Sequence, residues 1–273
     1  MPQSVDVTRK NPPRLRIVPE KEEVTSTNEI IYNSYIGHSI TKSSFDEITT
    51  YYDTVFNVDK STYVSSNDEP TPMNCVKELI DTIPKKFWET PNLQILDPCC
   101  GNGNFGVHLY HKLVSHHSTQ SILENILEFN DINVQRLDNV RKIFDVDKYS
   151  LQITQQDFLN TEYNKTYDLI VANPPYAKLL ENGKRASKNH NLIKDFIKRS
   201  LELLKPNGYL LFITPDNWMS YADRNELIKI LTRLQIVHLD IHTAKKYFKK
   251  IGSSFTWYLI QNRQATDNIT VSG

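Results

Sequence analysis

A chain of 273 residues, 39% of them hydrophobic, can bury one substantial core, and none of its apolar runs approaches the ~20 residues that a membrane span needs. Lysine plus arginine equals aspartate plus glutamate at 32 each, which excludes the global basic field of a sequence-independent nucleic-acid coat protein. The N-terminus lacks an apolar signal core, and three cysteines, two of them adjacent at 99 and 100, exclude a disulfide framework and a CxxC knuckle, so an intracellular, cytoplasmic protein is expected, or a nuclear or viral-factory one in a eukaryotic or viral setting.

In chain order, residues 1–26 are polar and proline-dotted, with a basic cluster at Arg9, Lys10, Arg14 and Arg16, and are expected to be mostly disordered. Phe45, Ile48, Tyr51, Tyr52, Val55 and Phe56 fall at helical spacing and predict a short helix that docks on the core. Residues 1–60 therefore read as a polar extension with one short helix, and 61–273 as the main domain, with no separate target-recognition domain. Beyond the extension the alternation is regular. Helices are predicted over 72–83, 104–114, 133–145, 190–205 and 223–234. Strands are predicted over 93–96, 126–130, 151–155, 167–172, 208–214, 236–241 and 255–261. This pattern predicts a doubly wound, seven-stranded and mostly parallel α/β sheet with ligands at the strand carboxyl ends, where Asp97, Asp131, Asp157 and Asn173 all fall.

Two of those exits carry motifs. At Asp97-Pro98-Cys99-Cys100-Gly101-Asn102-Gly103-Asn104-Phe105, a strand passes through glycines into a helix. Gly101 and Gly103 permit positive φ and close approach of a ligand to the backbone, and Asp97 can accept from an ammonium or hydroxyl. The spacing departs from the dinucleotide GxGxxG and suits a nucleoside cofactor without phosphates. At Tyr167 to Tyr176 a buried run ends in Asn173-Pro174-Pro175-Tyr176. The prolines remove backbone donors and leave carbonyls free, so an amide oxygen and a carbonyl can face one planar NH2 group while Tyr176 offers a stacking face. The plainer reading is that the prolines end a strand and Tyr176 caps the core.

In motif order and wording the sequence resembles the S-adenosylmethionine-dependent DNA adenine-N6 methyltransferases of restriction-modification type, over about residue 62 to residue 262. Asp97 to Phe105 is similar to that family's DPxCGxGNF cofactor loop, and Asn173 to Tyr176 to its NPPY catalytic motif. The resemblance implies a Rossmann-like class I methyltransferase with Asn173, Pro174, Pro175 and Tyr176 catalytic. It implies cofactor contacts from Asp97, Pro98, Gly101, Gly103 and Asn104, from Asp131 and Ile132 at the ribose, and from Asp157 and Phe158 at the adenine. Thr71 and Pro72 would close over the methionine end. Double-stranded DNA is the implied partner, with a specificity subunit or a homodimer as further partners. Chemistry of this kind needs alignment of a nucleophile and no metal.

Other features are set aside. His108 and His111 lie one turn apart, with His116 and His117 beyond, but no cysteine or carboxylate completes a zinc set. Lys178, Lys184, Arg185 and Lys188, and again Lys245, Lys246, Lys249 and Lys250, are charge runs that serve equally as solvated faces or phosphate contacts. Trp218 reads as core packing. Because an NPPY motif can clamp any planar NH2, transfer to adenine in RNA or to a protein glutamine stands as an alternative, and a non-catalytic cofactor-binding subunit as a third.

Overall fold

The computed structural model describes residues 37–59, 61, 69–176, 192–219 (the side chains of 217 and 218 excepted), 226–248 and 254–273. The basic cluster at 9–16, the cations at 178–188 and at 249 and 250, and the Trp218 side chain lie outside the described residues. His38–Gly273 forms one compact unit.

Helix α1 (Phe45–Tyr51) begins at a reciprocal cap: the Ser44 hydroxyl accepts from the Glu47 amide, and the Glu47 carboxylate accepts from the Ser44 amide at 2.7 Å. It runs straight into a π-helical turn, Tyr52–Phe56. The helix expected in the N-terminal extension is thus built into the compact unit: Ile48, Tyr51, Tyr52 and Phe56 are all buried, and the Tyr52 hydroxyl donates to the Asn102 carbonyl at 2.7 Å. Helix α2 (Met73–Asp81) follows Pro72 and buries Met73, Cys75, Val76, Leu79 and Ile80, one stripe at helical spacing.

The sheet comprises β1 (Ile95–Asp97), β2 (Leu127–Asn130), β3 (Gln152–Thr154), β4 (Tyr167–Ala172), β5 (Leu204–Pro215), β6 (Leu234–Ile241), β7 (Phe255–Gln264) and β8 (Thr270–Ser272). Its order is β3-β2-β1-β4-β5-β7-β6-β8, parallel from β3 to β5, antiparallel at β5-β7 and β7-β6, and parallel again at β6-β8. The expected seven strands are therefore eight. The additional β8 is three partly exposed residues held by backbone pairing to β6, which leaves no apolar alternation to read. Helices α3 (Asn104–Leu113), α4 (Val134–Ile143), α5 (Leu192–Leu203) and α6 (Glu226–Leu231) make the crossovers. β5 starts four residues ahead of its apolar run, because Leu204 pairs with Tyr167 before the register shifts to Leu169 opposite Tyr209.

The centre of the sheet is apolar on both faces, as buried parallel strands require. Leu169, Ile170, Val171 and Ala172 are wholly buried, as are Leu210, Leu211, Phe212 and Ile213. The topological switch falls at β1 and β4, whose carboxyl ends carry the two sequence motifs.

Candidate active site

The loop after β1 is fastened by three hydrogen bonds, two of them to neighbouring residues and one within the loop. Cys100 N donates to the Asn130 carbonyl at 2.9 Å, Gly103 N to the Cys100 carbonyl at 2.8 Å, and Gly101 N to Asp131 Oδ2 at 2.8 Å. Gly101 and Gly103 have φ of 55° and 87°, and a Cβ on Gly103 would stand 3.1 Å from the Phe144 ring. Both positions thus require glycine, for backbone conformation at each and for space at the second. Asn130 ties the exits of β1, β2 and β3 together: Nδ2 donates to the carbonyls of Pro98 (2.9 Å) and Gln156 (3.0 Å), while Oδ1 accepts from Thr154 Oγ1 and Gln156 N. Sequence reasoning passed over this residue. Its signal is an amide at the last position of a strand, directly before the acid at the exit.

Asp97 is 2% exposed. Its Oδ1 accepts weakly from Cys99 N at 3.4 Å, and Oδ2 has no partner in the structure. Burial, reinforced by the Asp131 charge, holds its carboxyl well above the usual carboxylate range. A buried acceptor with nothing to accept from invites a cationic donor, which is the chemistry of the α-ammonium on a methionine-type cofactor. Asp131 accepts from Gly101 N and from Asn133 N at 2.8 Å, and the neighbouring Ile132 is 70% exposed, an apolar face open beside a carboxylate. These residues fit a nucleoside cofactor.

Asn104, Asp157, Phe158 and Pro98, also expected at the cofactor, have partners within the protein. Both donor hydrogens of Asn104 are engaged within the protein, to Thr71 O (2.8 Å) and Asn57 Oδ1 (2.9 Å). Asp157 caps its own turn, accepting from Leu159 N and Asn160 Nδ2. Phe158 is 2% exposed and packs its ring against Phe196 and Tyr163. Pro98 is buried and contributes its carbonyl to Asn130.

At the end of β4, Asn173 is half-buried, Pro174 buried and Pro175 exposed. Asn173 Nδ2 donates to the Glu69 carbonyl at 3.2 Å and to Thr71 Oγ1 at 3.1 Å, and Oδ1 accepts from the Tyr176 hydroxyl at 2.6 Å. The segment preceding α2 therefore meets the NPPY motif directly. Cys99 Sγ lies 3.7 Å from the Asn173 carbonyl, which puts the cofactor loop and the NPPY motif edge to edge. The Tyr176 ring sits 5.8 Å from Phe255, which stacks on Phe248 at 4.5 Å. These two phenylalanines were absent from the expected site, because only the antiparallel return of β7 brings them there. Of the lysines in the two charge runs that are described, Lys246 is held by Glu78 at 2.6 Å and Lys245 is exposed.

Eight strands in this order, with a glycine loop after β1 and an amide at the end of β4, define a Rossmann-like class I methyltransferase fold. A class I S-adenosylmethionine-dependent methyltransferase from Listeria monocytogenes superposes with a TM-score of 0.66 over 93% of this chain and 79% of its own, at 16% identity. The family described as Eco57I restriction-modification methylase matches residues 71–248, and the chain belongs to it. Among curated relatives, Type II methyltransferase M.VspI of Vibrio sp. (strain 343) is 29% identical over 181 residues, covering 62% of this chain and 42% of the relative. Modification methylase CviBIII of Paramecium bursaria Chlorella virus NC1A is 27% identical over 205 residues, covering 71% and 50% respectively. The chain thus spans about half the length of these relatives.

Proposed function

We propose that this protein transfers a methyl group from S-adenosylmethionine to the N6 amino group of an adenine swung out of double-stranded DNA. The observation that carries the reading is the pairing, at one strand exit, of a half-buried carboxamide oxygen with an aromatic ring, Asn173 Oδ1 beside Tyr176. The family's description as restriction-modification methylases supports DNA as the substrate. When bound, S-adenosylmethionine supplies a methyl on a sulfonium, an electrophile that needs no metal.

The residues of this chain then have defined tasks. Asp97 holds the cofactor's ammonium through its unpartnered oxygen, Gly101 and Gly103 let the backbone come close, Asp131 and Ile132 take the ribose, and Asp157 and Phe158 the adenine. Asn173 Oδ1 and the Pro174 carbonyl accept hydrogen bonds from the two N6 protons, one of which passes to solvent after the methyl has been transferred. These bonds draw the nitrogen lone pair out of conjugation and stabilise the positive charge that develops as the C–N bond forms and the C–S bond breaks. Tyr176 stacks on the extruded base, an interaction of ~1–3 kcal/mol per base. The Tyr176 hydroxyl need not leave Oδ1, since a carboxamide oxygen has two lone pairs. Site selection belongs to surface beyond the described crevice, with a specificity subunit or a second copy as the partner.

Purified protein, labelled S-adenosylmethionine and unmethylated double-stranded DNA are incubated and digested to nucleosides. Label is expected in N6-methyl-2′-deoxyadenosine and is expected to fall by about 10²–10³ in Asn173→Ala, the weight of one charge-stabilising group. Label in another base, or in wild type and variant alike, would overturn the reading.

A further inference from the structure

A carboxamide's oxygen and nitrogen are nearly the same size, so the shape of Asn173 does not decide which end faces the crevice; its partners do. Nδ2 is gripped by two oxygens, the Glu69 carbonyl and Thr71 Oγ1. Were the amide reversed, its oxygen would confront the Glu69 carbonyl with no proton between them. The hydroxyls of Thr71 and Tyr176 can rotate to serve either arrangement, but a backbone carbonyl only accepts. Residues 69–71 therefore impose one orientation on Asn173, and it is the one that points the acceptor at Tyr176.

That segment is itself fastened. Thr71 is 4% exposed and its carbonyl accepts from Asn104, the first residue of the helix that leaves the glycine loop. Two residues on, Met73 N donates to Asp53 Oδ1 at 3.1 Å. The 71–73 segment thus spans from the cofactor-loop helix to the NPPY motif.

We propose that Thr71, together with the Glu69 carbonyl, is the positioning element that locks the Asn173 carboxamide with its oxygen toward the target amino group, and that Asn104 holds this element in place from the glycine-loop helix. The part about a target amino group rests on the function proposed above; the orientation of the amide does not. Thr71 is a positioning residue, since it touches the catalytic side chain and not the substrate.

The test uses the full chain labelled with ¹⁵N-asparagine, with the Asn173 side-chain amide identified by its loss in Asn173→Ala. Thr71→Val, isosteric but without the hydroxyl, is expected to shift that resonance and speed its proton exchange roughly tenfold, the scale of one hydrogen bond. Single-turnover methylation at saturating cofactor is expected to slow at least roughly tenfold, and Thr71→Ser is expected to restore most of the rate. Should Thr71→Val fail to fold, Asn104→Asp, which loses the donor to the Thr71 carbonyl, takes its place with the same expected shift. An unmoved Asn173 amide signal would overturn the proposal, as would a rate loss that follows cofactor affinity alone. If wild-type protein leaves DNA unlabelled, the proposed function fails, and the amide resonance still decides the orientation.

Discussion

Asp97 is asked to be buried before the cofactor arrives and charged after it. Its folded pKa lies above the unfolded value of about 3.9, so its contribution to stability is fully present below that value and is lost as pH rises through the folded pKa. A bound ammonium reverses the preference, and cofactor affinity is expected to rise with pH over the same window. Asp97→Asn removes the titration. The cofactor-free variant is expected to melt higher than wild type at neutral pH, with a flatter pH profile, and to bind S-adenosylhomocysteine roughly 10–100-fold more weakly, as loss of a charged hydrogen bond implies. Thermal melts and calorimetric titrations from pH 5 to 9 check both halves, and a variant that melts lower while binding as tightly as wild type would remove Asp97 from the site. The stability gain and the binding loss have one cause, an acceptor left without a donor.

At the scale of elements, the glycine loop depends on how α3 meets β2. A Cβ on Gly106 would lie 2.5 Å from the Phe129 ring and 2.9 Å from Phe144, two rings that are themselves buried and 4.8 Å apart. Gly106→Ala is expected to cost about 1–3 kcal/mol in urea unfolding, the usual penalty for overpacking, and to weaken cofactor binding as the helix backs away from the sheet. An unchanged midpoint would mean that the rings yield freely. What the sequence discloses at this scale is local chemistry. Glycine at positive φ and paired prolines after an apolar run mark their loops without reference to the rest of the chain, so Gly101, Gly103 and Asn173 could be placed at strand exits from residue order alone. Phe248 and Phe255 were missed because their place beside Tyr176 is set by the β5-β7-β6 return, a pairing across the sheet that no local pattern encodes. The π-helical turns at Tyr52–Phe56 and Ile122–Ile126 leave no compositional trace either.

For the molecule as a whole, charge decides how DNA can be held. Net charge is zero, and many of the described cations already have acids. Lys77 and Lys112 share Asp81, Lys194 and Lys198 share Glu226, Lys205 pairs with Asp168, Arg263 with Asp267, and Lys246 with Glu78. A phosphate approaching any of these must compete with a carboxylate that is already there, so on the proposed function general adhesion of the described surface to a duplex is expected to be weak, with few counterions released. Each neutralised phosphate contributes about −0.9 to the slope of log K against log salt, and stacking of an extruded base on Tyr176 contributes nothing to it. The slope for this protein is accordingly expected between about −2 and −5, far from the value near −10 of a strongly basic binder. Fluorescence anisotropy of a duplex carrying its target site, titrated in the presence of S-adenosylhomocysteine between 50 and 200 mM salt, about the range over which such slopes are defined, measures it. A slope steeper than about −8 would mean that cations outside the described residues dominate the contact, and that affinity comes from the phosphate backbone instead of the base pocket.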